Sequence, residues 1–567
     1  MQIWRVNVEN QNVTQEPVPA TWEHLGGRGL QARILLDEVP PTCEPLGPYN
    51  KLIFTPGLLV GHMLSSCDRL SVGSKSPLTG GIKESNAGGT TGMAMTLLDM
   101  KALIIEGEPR TKDWWVLYLG KNGCRFDPAG DLVGLGVYAS AARLLERYGN
   151  KVSISLIGPG GEMELRAAGI QNLDKDRVPS RINARGGLGA VMGSKRIKAI
   201  VFDAAGGQKQ PLANPEAFRA AHKVYTQAVL NHPQSAVFRD YSTLGVGRMS
   251  NAFGGIPTRN FSQGTNPEFE QISAEHFREM VLERGGEGDP AHACMPGCTI
   301  RCSNVFAGED GQEVIVSPVE YETVGLMGSN LDINNLDVIG RMNWIVNDLG
   351  LDSIDVGAAL GVAAEAGLME FGDGQRAIEL LKEIYTGSPL GRMLGHGAAM
   401  TGRVLGIKRV PVMKNQAISA YDPRAIKGTG VTYATSPQGA DHTAGLTIRA
   451  KIDHLDPKVQ IEPSRNAQIN MAGYDSLGVC SFAGFGFAAS PESIRDLINA
   501  RYGWQVGMDF LQVLGREVLL LEREFNRKAG FTKEDDRAPE WMRREALPPT
   551  GAVFDVADDD LDSVFNW

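Results

Sequence analysis

The feature that most constrains how this chain can fold is a set of four cysteines drawn from two distant parts of the sequence. Cys294, Cys298 and Cys302 are spaced four residues apart, and Cys480 stands much later. This spacing matches one face of a helix, but Pro296-Gly297 disfavours a continuous helix between the first two cysteines. We therefore predict a loop that wraps three sulfurs around a 4Fe-4S cluster, whose fourth iron takes a thiolate from elsewhere in the chain.

Three alternatives to this iron-sulfur site remain open. A structural zinc ion usually takes its ligands as two C-x2-C pairs, which are absent here. The thiols could also be ordinary buried small side chains. Disulfides are the least favoured, because residues 1–5 do not begin a basic stretch followed by an apolar segment, so nothing marks export to an oxidising compartment. We expect a cytoplasmic protein.

Size and charge limit the classes of function. The chain has 567 residues and a formal net charge of -10. This length predicts three or four domains with room for a buried cofactor, which is more than a simple electron carrier needs. The acidity argues against nucleic acid as a partner, because phosphate-backbone binding needs a concentrated basic face. The sequence contains no run of about 18 apolar residues, so we expect no membrane span.

The pattern of apolar and turn residues predicts three domains and no internal repeat. Strands and turns dominate the first part, where Lys121-Asn122-Gly123 is a hairpin signal. Helical patterns follow, beginning with the capping sequence Asn214-Pro215-Glu216, and Ser490-Pro491-Glu492 repeats this device. The predicted domains are residues 1–208, 209–410 and 411–567.

Two polar, glycine-rich regions of the first domain are candidates for phosphate binding. One covers residues 66–89 and the other covers residues 181–195. Exposed backbone N–H groups beside an arginine suit a phosphate, because the amides donate without interference and the guanidinium adds charge. Glycine-rich hairpin turns explain such segments equally well, and neither region has the spacing of a P-loop.

Seven motifs follow one another along the chain. They are SPLTGG at 76–81, ARGGLGAVMGSK at 184–195, the cysteine triplet, PVEYET at 318–323, NDLGLD at 347–352, YATS at 433–436 and DSLGVC at 475–480. In this order, and over essentially the whole chain, they resemble the tungsten-containing aldehyde ferredoxin oxidoreductases. The resemblance implies an α+β fold, in which an N-terminal strand-rich domain of two β-sheets forms a base for pterins and two mostly α-helical domains follow.

The resemblance also implies cofactors and the residues that hold them. A tungsten or molybdenum ion would lie between two pterins, next to one 4Fe-4S cluster, and Mg2+ would bridge the pterin phosphates. The implied cluster ligands are Cys294, Cys298, Cys302 and Cys480. The implied pterin-binding residues are Arg69, Asn86, Gly88, Ala184, Arg185, Gly187, Asn347, Leu351, Asp352, Asp475, Val479 and Cys480.

The catalytic residues that the resemblance implies are Glu322 and His442. Oxidising an aldehyde to an acid requires oxygen from water, removal of the aldehyde hydrogen and a sink for two electrons. We expect Glu322 to act as general base and His442 to donate a hydrogen bond to the carbonyl. Glu320 is the alternative base, because strand-like alternation would put both glutamates on one side. Without the resemblance, a surface carboxylate and a structural loop histidine are ordinary interpretations.

Three departures from the family pattern bear on these expectations. The cysteine spacing is C-x3-C-x3-C, where the family has C-x2-C-x3-C. Asn347 stands where the pattern has Asp, and Thr443-Ala444 follows His442 without the expected basic residue. We expect four thiolates to hold the cluster with an altered loop, and at least one pterin contact to change.

The resemblance predicts an enzyme that oxidises a small aldehyde and passes electrons to ferredoxin or to an iron-sulfur partner subunit. A homo-oligomer is compatible with this function. One alternative is a tungsten-dependent reductase of an aromatic acyl-CoA or carboxylic acid, although a basic phosphate-binding entrance is not identifiable in this acidic chain. The other is a non-catalytic iron-sulfur subunit that relays electrons, which would need only the cysteines.

Overall fold

The first part of the chain folds into two six-stranded sheets with five helices. The computed structural model describes residues 1–567. The strands are β1 (Gln2–Asn7), β2 (Asn12–Pro17), β3 (Leu52–Pro56), β4 (Leu70–Lys75), β5 (Ile82–Ala87), β6 (Met100–Glu106), β7 (Trp115–Gly120), β8 (Gly123–Pro128), β9 (Ser153–Leu156), β10 (Ile170–Leu173), β11 (Pro179–Asn183) and β12 (Ile197–Asp203). The helices are α1 (Gly27–Glu38), α2 (Thr91–Leu97), α3 (Val137–Tyr148), α4 (Pro159–Glu162) and α5 (Leu188–Ser194).

The remainder is mostly helical. Its helices are α6 (Pro215–Asn231), α7 (Pro233–Tyr241), α8 (Gly247–Ala252), α9 (Ala274–Arg284), α10 (Tyr321–Thr323), α11 (Leu336–Leu349), α12 (Ser353–Glu365), α13 (Gly374–Thr386), α14 (Pro389–Gly395), α15 (Ala398–Leu405), α16 (Lys427–Thr435), α17 (Ile461–Leu477), α18 (Gly484–Ala489), α19 (Glu492–Tyr502), α20 (Phe510–Lys528), α21 (Glu540–Arg544) and α22 (Asp558–Asp562). Its strands are β13 (Asp289–His292), β14 (Ser303–Ala307), β15 (Val314–Val316), β16 (Val412–Met413) and β17 (Gln416–Ala417). The predicted fold class, two sheets followed by helical domains, is confirmed.

The two large sheets have the same topology. Their strand orders are β2-β1-β6-β3-β4-β5 and β8-β7-β12-β9-β10-β11. In each, one pair is parallel, β1 with β6 and β7 with β12, and every other pair is antiparallel. Each strand of the second sheet therefore corresponds to the strand of the first sheet that is numbered six lower. The expectation of no internal repeat was wrong. The repeat escapes sequence inspection because only short stretches, such as Asn86-Ala87 and Asn183-Ala184, stay alike.

Alternation along the strands explains how the base is packed on both faces. Trp4 and Phe54 belong to a buried apolar cluster that also takes residues from the second sheet, so this face lies between the sheets. Ile3 and Ile53, their neighbours in sequence, pack instead against apolar residues of α17 and α20. Successive side chains of a strand point to opposite faces, so this pattern follows from the pleat.

Of the hairpin turn and the two helix caps that the sequence predicts, the turn and one cap were confirmed. Lys121-Asn122-Gly123 turns β7 into β8, which pair antiparallel. Asn214 caps α6 and accepts a hydrogen bond from the Ala217 N–H at 3.0 Å. The predicted cap at Ser490 was wrong, because its hydroxyl donates to the Gly486 carbonyl at 2.8 Å instead.

Each hydrophobic cluster of the helical part combines residues that are far apart in the sequence. Phe218 and Tyr225 of α6 are buried with Leu497 of α19, far along the chain. Phe554, close to the end of the chain, is buried with residues of α11 and α12. The three domain boundaries stay a prediction. None of the helices combines the length and the apolar composition that crossing a membrane requires.

Candidate active site

The four predicted cluster cysteines come from one loop and one helix end. Cys294, Cys298 and Cys302 lie in the connection between β13 and β14, so the predicted loop is confirmed. Cys480 follows the end of α17, and its N–H donates to the Ser66 carbonyl at 2.8 Å. The hydroxyl of the same serine lies 3.3 Å from Cys298 Sγ. Ser66 thus joins the triplet to the distant fourth cysteine.

The spread of these thiols favours a polynuclear group over a single ion. Only one group of three or more cysteine, histidine or carboxylate ligand atoms lies within 4.8 Å of one another, and it contains no cysteine. Tetrahedral zinc would hold its sulfurs about 3.8 Å apart, from Zn–S bonds of about 2.3 Å. The hydrogen bond between Cys294 and Cys298 lowers the pKa of Cys298 to about 5 and raises the pKa of Cys294, and burial raises the pKa of Cys302 and Cys480.

The NDLGLD and DSLGVC motifs have the same local structure. Each covers the last turn of a helix, α11 or α17, and the glycine that ends it, with φ of 69° at Gly350 and 78° at Gly478. The N–H of the residue after this glycine, Leu351 or Val479, donates to the carbonyl five residues earlier, at 3.0 and 2.9 Å. This is a Schellman ending, which requires a left-handed residue and so favours glycine. The two sequence motifs therefore have the same backbone conformation.

Each helix end docks on one sheet of the base. A Cβ atom on Gly57 would lie 2.0 Å from the Gly478 nitrogen, and one on Gly158 would lie 2.4 Å from the Leu349 carbonyl oxygen. Such contacts leave no space for a side chain, so backbone meets backbone at both points. The Leu59 N–H donates to the Leu477 carbonyl at 2.9 Å and extends the first junction.

Carboxylates of the two motifs are paired with buried arginines. Asp352 Oδ2 accepts from Arg185 Nε at 3.2 Å, and Asp475 Oδ2 accepts from Arg28 at 3.2 Å. Arg28 also binds Glu522 through two bonds of 2.7 and 2.8 Å. The structure places Asn347 in the last turn of α11, where it is buried.

The first glycine-rich region lies between the cluster cysteines and the DSLGVC motif. Arg69 donates to both the side chain and the carbonyl of Asn86. Burial alone would lower the pKa of Arg69, but the neighbouring Cys480 and Cys294 thiols and the Asp475 carboxyl raise it. A Cβ atom on Gly88 would lie 3.1 Å from Cys294 Sγ.

The second glycine-rich region meets the first directly. Asn183, which precedes Ala184, donates to the Ser85 carbonyl at 2.6 Å, next to Asn86. A Cβ atom on Gly187, where φ is 77°, would lie 2.7 Å from the Pro77 ring. The predicted phosphate-binding residues of both regions are therefore brought together.

Glu322 and His442 face each other across a short gap. Glu322 Oε2 accepts from the Ala420 N–H at 2.8 Å, and its Oε1 lies 3.7 Å from His442 Nε2. The other imidazole nitrogen, Nδ1, lies 3.1 Å from the Ser419 hydroxyl. Glu322 Oε1 has no protein partner, and the fully buried Tyr433 lies nearby. This separation is too long for a good direct hydrogen bond, and it is too short for another group to lie between the two atoms. A small polar group can contact both only from beside the line that joins them.

Glu320 points elsewhere. Residues 321–323 form the helical turn α10, and a π-helical turn, Val324–Gly328, follows, so the expected strand-like alternation was wrong. Glu320 accepts a hydrogen bond from the Thr243 hydroxyl and lies near Cys302 and Arg69. Burial raises the pKa of Glu320. The two glutamates therefore occupy different environments.

Sequence reasoning assigned no role to three buried polar residues, Lys83, Glu84 and Gln416. One carboxylate oxygen of Glu84 and both amide atoms of Gln416 lack a protein partner, and burial raises the pKa of Glu84. Buried polar atoms are nearly always satisfied, so these orphans fit a site for a polar ligand. The available signal was the Lys83-Glu84 pair inside β5, an otherwise buried strand.

Two family models match the chain. The model described as "Aldehyde ferredoxin oxidoreductase, N-terminal domain" matches residues 3–204. The model described as "Aldehyde ferredoxin oxidoreductase, domains 2 & 3" matches residues 220–566. Together they span both the sheet base and the helical part.

Known proteins and structures are similar over nearly the whole chain. The tungsten-containing aldehyde ferredoxin oxidoreductase of Pyrococcus furiosus is 30% identical, over 96% of this chain and 91% of that protein. The "Aliphatic sulfonate oxidoreductase, WOR-like subunit" of the same organism is 26% identical, over 92% of this chain and 85% of that protein. The solved active-site complex BamBC of benzoyl coenzyme A reductase with 1,5-dienoyl-CoA has a TM-score of 0.81, covering 100% of this chain and 93% of that chain. At 18% identity, this last likeness shows the fold alone.

Proposed function

The chain belongs to the aldehyde ferredoxin oxidoreductase family, and from this premise we propose that it oxidises small aldehydes to carboxylic acids. The observation that carries the proposal is the Glu322–His442 pair, with 3.7 Å between Oε1 and Nε2. A carboxylate and an imidazole whose free atoms lie this close can act together on one small group, by proton removal and carbonyl polarisation. An electron-relay subunit would have no use for this pair.

The residues present fit a tungsten bis-pterin group and a 4Fe-4S cluster. The half-buried Arg69 and the buried Arg185 are cations that suit pterin phosphates, and the orphaned oxygen of Glu84 suits a pterin hydrogen-bond donor. Mg2+ would be held by backbone carbonyls near Asn86 and Ala184, whose segments are joined by the Asn183 hydrogen bond. When bound, the metal-pterin group supplies the sink for the two electrons released in the oxidation.

The protein groups supply positioning and proton transfer. The Ala420 N–H fixes Glu322 Oε2, which leaves Oε1 free to remove a proton from water or from the aldehyde hydrate. His442, held at Nδ1 by Ser419, presents Nε2 to the substrate carbonyl oxygen. The buried rings of Tyr321, Tyr421 and Tyr433 border this space and restrict access by bulk water.

Electrons would leave through the cysteine side of the site. Cys480 ends the DSLGVC motif, two residues after its glycine, and contacts Ser66 beside Cys298. One residue would therefore be shared between the pterin motif and the cluster. A single cluster must pass its electrons to a partner, which we propose is ferredoxin or an iron-sulfur subunit.

Metal analysis combined with turnover tests this proposal. For anaerobically purified protein, we expect about one tungsten or molybdenum and about four iron atoms per chain, with aldehyde-dependent reduction of ferredoxin. Iron without tungsten or molybdenum would support the relay subunit. A full metal complement with reduction of an aromatic acyl-CoA, and no aldehyde turnover, would support the reductase.

Replacing Cys480 with serine is expected to reduce the iron content, since one of four cluster ligands is lost. Iron analysis and the visible absorbance of the cluster measure this effect. Cys124→Ser is the matched control, because Cys124 lies in β8, outside the site. Equal iron contents in the two variants would show that Cys480 is not a ligand of the cluster.

A further inference from the structure

Ser66 contacts both parts of the cysteine set, and its backbone is in the left-handed region. Its φ is 58°, a conformation that residues other than glycine rarely adopt. Its carbonyl accepts the Cys480 N–H at 2.8 Å, and its hydroxyl lies 3.3 Å from Cys298 Sγ. Strained backbone of this kind persists only where the surrounding structure holds it, and it clusters at functional sites. The conformation of Ser66 therefore indicates a role at the cysteine site.

Contacts of the neighbouring residues fix the position of this serine. Ser65 Oγ lies 2.6 Å from the Thr299 hydroxyl and accepts from the Thr299 N–H at 3.3 Å. The Ser65 carbonyl accepts from the buried Tyr225 hydroxyl at 2.8 Å. Further along, the Arg69 N–H donates to the Gly478 carbonyl at 3.2 Å. The segment is therefore attached to the cysteine triplet on one side and to the end of α17 on the other.

The Ser66 hydroxyl is in an environment that suits a hydrogen bond with sulfur. Ser66 is 1% exposed, so bulk water does not reach its hydroxyl, and Cys298 Sγ is its hydrogen-bond partner. Between a hydroxyl and a neutral thiol, either group can donate. A cysteine that binds iron does so as the thiolate and has no proton to give, so the serine is then the donor. The O–H of Ser66 would thus point to a cluster sulfur.

A hydrogen bond to a ligand sulfur changes the reduction potential of an iron-sulfur cluster. Reduction adds one negative charge, which is shared by the ligand sulfurs, so a hydrogen-bond donor stabilises the reduced cluster more strongly than the oxidised one. Burial increases this difference, because a low local dielectric strengthens the interaction between the donor and the charge. A buried hydroxyl donor beside Cys298 therefore makes the cluster easier to reduce.

We propose that the Ser66 hydroxyl donates a hydrogen bond to Cys298 Sγ and thereby raises the reduction potential of the 4Fe-4S cluster. This inference rests on the proposed function, because it requires the cluster. Ser66 is a positioning residue in this role, since it acts through Cys298 and does not itself bind iron.

Ser66→Ala tests the proposal through the midpoint potential of the cluster in anaerobically purified protein. Redox titration followed by electron paramagnetic resonance measures this potential. We expect an unchanged iron content and a more negative midpoint. At a fixed potential, the ratio of reduced to oxidised cluster should fall roughly three- to tenfold, equivalent to about 30–60 mV for one electron. A wild-type midpoint with a full iron content would overturn the proposal.

Ser66→Gly separates the effect of the hydroxyl from that of the strained backbone. Glycine also lacks the hydroxyl, but it adopts a positive φ without strain. Both variants should therefore show the same shift of the midpoint potential. A shift in Ser66→Ala alone would assign the effect to the backbone and overturn the proposal. Loss of iron from both variants would assign Ser66 to cluster assembly and would also overturn it.

Ser65→Ala is the matched control in the same loop, because the Ser65 hydroxyl contacts Thr299 and no thiol. Its midpoint should stay close to that of the wild type. A shift equal to that of Ser66→Ala would show a general loosening of the loop and contradict the proposal. A wild-type protein without a reducible cluster would instead contradict the proposed function. Aldehyde turnover does not enter the titration, so the two failures are distinguishable.

Discussion

Replacing Glu322 with glutamine is expected to lower kcat for aldehyde oxidation by roughly 10²- to 10⁴-fold, the usual contribution of a general base. The amide has nearly the same shape and still accepts from the Ala420 N–H, but it cannot take up a proton. Tungsten, pterin and iron contents should stay at wild-type levels, because Glu322 contacts neither glycine-rich region. Steady-state kinetics and metal analysis of the same preparation measure both quantities.

Glu320→Gln is the matched control for this experiment. Glu320 lies two residues away and is also largely buried, but it binds Thr243 and not the His442 side of the site. Turnover close to that of the wild type is expected. If Glu320→Gln abolished turnover while Glu322→Gln did not, the base would be reassigned to Glu320. Loss of tungsten from Glu322→Gln would make Glu322 a cofactor-binding residue.

Arg28→Met is expected to destabilise the protein by about 3–5 kcal/mol, since it leaves buried carboxylates without their partner. Arg28 and Glu522 are 2% and 1% exposed, and Asp475 of the DSLGVC motif shares the same guanidinium. The change should lower the denaturant concentration at the midpoint of unfolding. It should also loosen the contact between α17 and the first sheet.

Arg33→Met provides the comparison on the same helix, α1. Arg33 pairs with Asp37 one turn away, and both side chains are about one-third exposed. An exposed pair of this kind contributes about 0.3–0.5 kcal/mol. The denaturant midpoint of unfolding of Arg33→Met should therefore barely change. Equal shifts in the two variants would show that the Arg28 network contributes no more than a surface ion pair.

Features controlled by neighbouring residues could be predicted from the sequence. Pro296-Gly297 indicated the loop of the cysteine triplet, and Lys121-Asn122-Gly123 indicated a hairpin, because backbone preferences act locally. The family motifs brought Glu322 and His442 to attention, although they are far apart in the chain. The roles of these two residues stay a prediction, and the structure adds their separation and their partners.

Features that depend on distant partners could not be predicted. Lys83 and Asp441 are 358 residues apart, and nothing in the periodicity of either segment links them. The direction of Glu320 depends on Thr243, which belongs to a different segment. Ser490 had a capping sequence, but the Gly486 carbonyl competes for its hydroxyl. In each case, tertiary contacts decided between locally equivalent choices.

The repeated strand order of the base has an evolutionary consequence. Two copies of one six-stranded ancestor, related by a two-fold axis, would present two identical loops, and fusion into one chain would let each loop mutate alone. Two residues before the shared Asn, one half now has Glu84 and the other has Arg181, which donates to Ser303 beside Cys302. Inherited symmetry would thus account for the two similar glycine-rich loops, and later divergence for their opposite charges.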